Sequence, residues 1–210
     1  MNSPTSRRSS GVQSPTSNLA VLISGHGSNL QSILDACASG ILPARVAAVI
    51  SDKANAFGLE RARRANVPAL HKPKRATQTR ADYDSDLADL VACYQPDWVV
   101  LAGWMRVLTL PFLSRFPNRV VNLHPALPGA FPGAHAIERA FEAHRRREIT
   151  HTGVMVHLVP DEGVDSGPVL AQEIVPIRPD DTLESLEARV HTVEHRLLVA
   201  TLKSLVTTET

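Results

Sequence analysis

An α/β fold, with a largely parallel sheet flanked by helices in a single domain, is the fold class this sequence predicts, on three observations. Short apolar runs that leave no polar face, such as Leu19-Ala-Val-Leu-Ile23 and Trp98-Val-Val-Leu-Ala102, suit strands buried on both sides. Stretches with apolar residues three and four apart alternate with them, the pattern of crossover helices. At 210 residues the chain is long enough to bury a substantial core.

The elements follow in order. Residues 1–17, MNSPTSRRSSGVQSPTS, have almost nothing to bury, so a disordered extension is expected ahead of a domain over 18–210. Leu19 to Ile23 is the first strand, Ser24 to Asn29 a tight turn, and Leu30, Ile33, Leu34 and Cys37 mark one face of a helix. A strand over Val46 to Ile50 precedes a helix from Phe57 to about Ala65. A third unit joins a strand at Pro68 to His71 with a helix across Tyr83, Leu87, Leu90 and Val91. The fourth strand, Trp98 to Ala102, leads to a short helix near Pro111 to Arg115, and a fifth, Val120 to Leu123, runs into His124-Pro125. Thr152 to Leu158 and Val169 to Val175 break the rhythm as two strands around a loop from Pro160 to Pro168. The last helix carries Leu183, Leu186, Val190, Val193 and Leu197 on one stripe, with Asp181 and Glu184 resembling a capping box.

Composition limits the function. Lys+Arg 22 against Asp+Glu 21 leaves a formal charge of +1, which steers the chain to neither nucleic acid nor an anionic membrane. No apolar run approaches the roughly 20 residues that span a bilayer. Arg7 and Arg8 are followed by no apolar stretch, so the start is not a secretory signal and a cytoplasmic location is expected. Cys37 and Cys93 lie in expected helices without metal-ligand spacing, and read as two buried thiols of a reducing compartment.

Three places carry chemistry. Ser24-Gly-His-Gly-Ser-Asn29 follows a strand and opens a helix, where free N–H groups and the helix dipole favour an anion. Position 30 is Leu rather than the third glycine of a dinucleotide fingerprint, and no Gly-Lys-Ser/Thr follows, so a monophosphate at Gly27, Ser28 and Asn29 fits better than NAD. A tight turn without a ligand is the alternative. At the end of the fifth strand Asn122 and His124 stand two apart and therefore point to one side, beyond the carboxyl edge where such sheets bind ligands. Asn offers an amide donor to a developing oxyanion and His titrates near neutrality. Asp165, in Asp161-Glu-Gly-Val-Asp-Ser-Gly167, is the acid best placed to orient the imidazole; a satisfied, half-buried histidine is the alternative. No Ser stands in a G-x-S-x-G elbow. On the last helix, His191-Thr-Val-Glu194-His195 matches an inverted zinc-peptidase motif, yet no further ligand is evident, and Glu187, His191 and Glu194 equally spell a solvated flank. No metal is expected.

Together these segments resemble the glycinamide ribonucleotide formyltransferases, folate-dependent enzymes of purine synthesis. The resemblance rests on Val21-Leu-Ile-Ser-Gly-His-Gly-Ser-Asn-Leu-Gln31, Ala56-Phe-Gly-Leu-Glu-Arg-Ala62, Val100-Leu-Ala-Gly-Trp-Met-Arg106, Asn122-Leu-His-Pro125, Phe131-Pro-Gly133 and Asp165-Ser-Gly-Pro168, in order, from about Leu19 to the last helix. It implies a Rossmann-like formyltransferase fold, 10-formyltetrahydrofolate as donor and glycinamide ribonucleotide as acceptor, and leaves a homodimer open. It places catalysis on Asn122, His124 and Asp165, the substrate phosphate on Gly27, Ser28 and Asn29, and the ribose on Glu194. It puts the folate against Met105, Arg106, Val107, Leu108 and Arg80, with His135 and His157 as secondary contacts. The sequence departs from the family in Ala126-Leu-Pro-Gly-Ala130, where a Leu-Leu-Pro arrangement is usual, and in a longer stretch from His157 to Asp165.

Rival readings share parts of this pattern. Methionyl-tRNA formyltransferases have the same Asn-His-Asp centre but a further C-terminal domain, and the near-neutral charge offers tRNA no basic surface. Formyltetrahydrofolate hydrolases use water as acceptor and add a regulatory domain. A nucleotide-binding module would keep the glycine turn without needing Asn122, His124 and Asp165 together.

Overall fold

The computed structural model describes residues 17–208. The tail expected to be disordered therefore lies outside the described residues, except Ser17, which opens the first strand. In chain order the elements are β1 (Ser17–Ile23), α1 (Ser28–Ala38), β2 (Ala44–Ser51), α2 (Phe57–Arg64), β3 (Ala69–His71), α3 (Arg80–Ala92), β4 (Trp98–Leu101), α4 (Leu110–Leu113), β5 (Val120–His124), α5 (Ala136–Arg145), β6 (His151–Leu158), β7 (Val169–Pro176) and α6 (Leu183–Thr208).

One seven-stranded sheet runs β3-β2-β1-β4-β5-β6-β7. The first five strands are parallel, and β6 and β7 close the far edge antiparallel. Alternate residues of each central strand feed the two faces: Leu19, Val21 and Ile23 enter one apolar cluster, Ala20 and Leu22 the other. The first cluster takes in α1, α2, α5 and α6, and the second α3 and α4. This two-sided burial is why the strands carry no polar face. β1 pairs with β2 on one side and β4 on the other, so the winding reverses there and leaves a crevice beyond the carboxyl ends of β1 and β4.

Two expectations need correction, and one helix had no counterpart among them. The helix α5 was not foreseen: it starts after His135, a left-handed residue (φ 58°) with no side-chain cap, and its buried face is built of Ala136, Ile137, Ala140 and Ala143. Three of these four are alanines, too small to register as an apolar stripe. The capping box of α6 is formed by Thr182 and Ser185, each hydroxyl accepting the other's backbone N–H at 3.2 and 3.0 Å, rather than by Asp181 and Glu184. Cys93 is not a buried thiol; it caps α3 at the surface, while Cys37 is half-buried and burial raises its thiol to about 11. Glu194, which the resemblance assigns to the ribose and for which a solvated flank was the alternative, is buried.

Asp181 instead anchors the start of α6. It accepts hydrogen bonds from Arg189 Nη1, the Arg178 N–H and the Ser185 hydroxyl at 2.7, 2.7 and 2.8 Å, and the Arg189 guanidinium first, then these other donors, holds its carboxyl well below the ordinary range. A carboxylate lowered on folding stabilises the native state above its unfolded pKa and loses that contribution as pH falls towards the folded value. Asp181→Asn is therefore expected to lower Tm by a few degrees at pH 7. The gap to wild type should close as pH falls below about 4. A constant gap from pH 7 to pH 3 in thermal melts would show that the charge is not the cause.

Candidate active site

The crevice opens into a cavity of about 480 Å³ whose walls come from several separate parts of the chain. Asn29 of α1 and His191 and Glu194 of α6 form one end. The other is the segment after β4, with Gly103, Trp104, Met105, Arg106, Val107 and Leu108, joined by Val159. Asn122, His124, His157 and Asp165 lie among the remaining walls, and His135 with Gly133 belongs to the rim before α5.

The turn after β1 forms because Gly27 adopts φ +74°, and α1 begins immediately after it without a side-chain cap. A Cβ on Gly27 would meet the Gly58 Cα at 2.7 Å, so the α2 backbone presses on the turn. Gly27→Ala thus combines a left-handed alanine with a backbone clash, and is expected to cost about 2 kcal/mol or more of stability in denaturant titrations. A variant as stable as wild type would mean that the turn relaxes freely. The first N–H groups of α1 have no partner within the helix, and of the turn's Gly27, Ser28 and Asn29 only Asn29 lines the cavity. Asn29 donates from Nδ2 to Glu194 Oε2 at 3.3 Å, and its Oδ1 is buried without a partner. His191 Nδ1 lies 2.7 Å from the same Glu194 oxygen.

At the centre, β5 places Asn122 and His124 on the same side, alternating with Val121 and Leu123, which enter the first apolar cluster. Strand β6 runs antiparallel alongside and sets His157 opposite Asn122. Asp165 closes the group from the loop before β7, in a left-handed conformation (φ 51°) that Asp tolerates better than most residues. Its Oδ1 accepts from Asn122 Nδ2 at 3.0 Å, and its Oδ2 accepts the Gly133 N–H at 2.8 Å and lies 3.2 Å from His124 Nδ1. The Asp165–His124 contact, which spacing alone could not establish, is present.

The protons follow from the partners. His157 Nδ1 is 2.8 Å from the Leu158 carbonyl, which only accepts, so Nδ1 carries hydrogen, and Nε2 is left to accept from Asn122 Nδ2 at 3.1 Å. His157 and Asp165 thereby fix the Asn122 carboxamide. His124 is different: Nδ1 faces Asp165 and Nε2 faces the Phe131 carbonyl at 3.1 Å, two acceptors that only the imidazolium can satisfy together. Burial nevertheless holds His124 below its ordinary pKa, against the pull of Asp165 and the Phe131 carbonyl. Burial pushes Asp165 up, but the His157 contact, the Gly133 N–H and the two histidines more than offset it, leaving a lowered carboxyl. The site thus offers two acceptors to a positive charge on His124 that burial opposes.

The segment after β4 is held from behind by residues that sequence reasoning missed. The Ser24 hydroxyl donates to Asp52 Oδ1 at 2.7 Å and accepts the Met105 N–H at 2.9 Å. Asp52 lies 3.8 Å from the Arg106 guanidinium, which stacks over Tyr83. Buried Asp84 accepts both the N–H and the hydroxyl of Thr109, at 2.8 and 2.7 Å. Arg80 sits behind the wall and donates from Nε and Nη2 to the Val107 carbonyl at 3.1 and 2.9 Å. Of the four predicted folate contacts on this segment, Leu108 is buried, Met105 is 67% exposed, and all four line the cavity. His135 is exposed and bound to Glu138 at 2.9 Å. In the altered loop, Leu127 covers Gly153, where a Cβ would meet its Cδ2 at 2.3 Å. Among the described residues no group of three or more His, Cys, Asp or Glu side chains could hold a metal ion, and no helix is long and apolar enough to cross a membrane.

A doubly wound sheet with an amide, an imidazole and a carboxylate clustered in the crevice at its switch point describes a group-transfer enzyme, and a family model described as formyl transferase matches residues 17–202. The chain belongs to the formyl transferase family of enzymes. Phosphoribosylglycinamide formyltransferase from Dictyostelium discoideum is 45% identical over 205 residues, covering 91% of this chain and 99% of that protein. The protein of the same name from Schizosaccharomyces pombe is 47% identical over 203 residues, covering 90% and 97%. The crystal structure of glycinamide ribonucleotide transformylase 1 from Symbiobacterium toebii matches with a TM-score of 0.85 at 43% identity, covering 96% of this chain and 92% of that one. Within its family the chain stands with the phosphoribosylglycinamide formyltransferases.

Proposed function

We propose that the protein moves the formyl group of 10-formyltetrahydrofolate to the amine of glycinamide ribonucleotide, a step of purine biosynthesis, by direct attack without an acyl-enzyme. The observation that carries this reading is one continuous cavity with Asn122, His124 and Asp165 in its wall, Asn29 and Glu194 at one end and Trp104 to Leu108 at the other. The first end suits a phosphorylated ribose: the helix N-terminus takes the phosphate and the Glu194 carboxylate accepts hydroxyl hydrogens. The second suits a flat heterocycle, with Trp104, Val107, Leu108 and Val159 for its faces and backbone groups for its polar edge.

Holding the two reactants together supplies much of the acceleration. The amine nitrogen bonds the formyl carbon, the bond from that carbon to the folate nitrogen breaks, and one proton passes from the amine to the departing nitrogen. Asn122, whose two amide hydrogens go to Asp165 Oδ1 and His157 Nε2 in the free enzyme, releases one of them to the oxyanion that develops on the formyl oxygen. His124, charged as that oxyanion forms, exchanges the Phe131 carbonyl for the oxyanion at Nε2 and so adds a second donor, while Asp165 at Nδ1 stabilises the imidazolium and relays the proton, directly or through water.

The test is the rate of conversion of 10-formyltetrahydrofolate to tetrahydrofolate, by absorbance, with glycinamide ribonucleotide, initiator methionyl-tRNA or no acceptor. Turnover that depends on glycinamide ribonucleotide is expected. Turnover with water or tRNA alone would keep the centre and overturn the acceptor.

A further inference from the structure

Between β5 and α5 the chain passes through the left-handed residues Gly129, Phe131, Gly133 and His135, and the middle of this loop touches the reacting centre at two points. The Phe131 carbonyl faces His124 Nε2 at 3.1 Å, and the Gly133 N–H donates to Asp165 Oδ2 at 2.8 Å. A bulky residue such as Phe adopts φ 47° only where its surroundings hold it there. Arg139, in the first turns of α5, supplies that hold. Its Nη2 donates to the Phe131 and Pro132 carbonyls at 2.6 and 2.7 Å, its Nε donates to the His135 carbonyl at 3.3 Å, and its guanidinium lies 5.9 Å from the centre of the Phe131 ring. The Phe131 carbonyl therefore has two claimants, Arg139 and His124, one for each lone pair.

We propose that Arg139 is a positioning residue for formyl transfer: it keeps the Phe131 carbonyl hydrogen-bonded when His124 Nε2 turns to the oxyanion, and it fixes the loop that brings the Gly133 N–H to Asp165. This rests on the oxyanion role given to His124 above. Without Arg139, every turn of His124 towards the oxyanion strands the carbonyl it leaves; with Arg139, that carbonyl keeps a charge-assisted bond throughout. The same guanidinium works against the imidazolium through space, as His157 does, while Asp165 favours it; Arg139 itself is flanked by Glu138 and His135 of its own segment. The repulsion is the smaller effect. Arg139 is exposed, so solvent screens its charge to about a twofold influence on rate, whereas the loss of a charge-assisted hydrogen bond costs about tenfold.

The experiment compares wild type, Arg139→Met and Arg139→Lys. Methionine keeps an unbranched side chain against the Phe131 ring and has no hydrogen to donate; lysine keeps both the charge and the donors. With 10-formyltetrahydrofolate and glycinamide ribonucleotide, Arg139→Met should lose about tenfold in kcat with KM for either substrate within about twofold, and Arg139→Lys should recover most of the loss. The second readout is the His124 ring titration by NMR in the free enzyme, its signal assigned by its absence in His124→Asn. The His124 pKa should rise in Arg139→Met, where the opposing charge and the rival donor are both gone, and stay near the wild-type value in Arg139→Lys. Methionine and lysine variants with equal kcat, or a His124 pKa that does not rise in Arg139→Met, would overturn the role of Arg139. A wild-type protein without turnover dependent on glycinamide ribonucleotide would overturn the acceptor reading instead, and the titration, which needs no substrate, would still judge Arg139.

Discussion

Asp165→Ala is expected to lower kcat by about 10²–10⁴ while leaving the fold intact, because one carboxylate serves both partners of the reacting centre. Its two oxygens take the Asn122 amide at 3.0 Å and the Gly133 N–H at 2.8 Å, and face His124 Nδ1 at 3.2 Å. Without it His124 keeps only the Phe131 carbonyl as an acceptor, and burial then works against the imidazolium with that carbonyl alone opposing it. Asp165→Asn separates charge from shape: it can replace one hydrogen bond but cannot stabilise the imidazolium, so its kcat should fall nearly as far as that of the alanine variant. Circular dichroism and thermal melts check that both variants fold. An asparagine variant within tenfold of wild type would show that the carboxylate acts as a hydrogen-bonding frame and that its charge is dispensable.

Asn122→Ala should reduce kcat by about 10²–10³, the usual cost of one oxyanion donor, with smaller changes in KM for either substrate. The amide is held from behind by His157 and Asp165, so its orientation exists before substrate arrives. Asn122→Asp is the sharper variant, since a carboxylate has no hydrogen to donate and would face both Asp165 and the developing oxyanion. It should be at least as slow as alanine. A normal kcat in Asn122→Ala would remove the amide from the chemistry and leave His124 as the sole donor.

What was legible in the sequence was whatever depends on neighbours along the chain. β1, the glycine turn and α1 could be read because burial on both faces and a tight turn leave local traces in Leu19-Ala-Val-Leu-Ile23 and Ser24-Gly-His-Gly. Asn122 and His124 could be placed on one side of a strand by its period of two. The network behind the donor wall could not, because Ser24, Asp52, Met105 and Arg106 meet only after β1, β2 and β4 have assembled side by side. Asp165 could be named as the candidate acid, but its contact with Asn122, across 43 residues of chain, could not be read. Helical spacing alone left a solvated flank open for Glu194, because the burial of that polar group comes from the cavity and from Asn29 across it and leaves no local trace. The resemblance supplied His157, whose role the structure now explains through the antiparallel register of β5 and β6.

Direct transfer between two substrates held side by side is tested most closely by rapid-quench mixing of the enzyme with radiolabelled 10-formyltetrahydrofolate, with and without glycinamide ribonucleotide, followed by intact-mass analysis. The expected result is label that stays on the folate in the absence of acceptor and passes to the acceptor, without a formylated protein, when both are present. A protein heavier by one formyl group, formed and consumed at the rate of turnover, would contradict it and call for a nucleophile outside Asn122, His124 and Asp165.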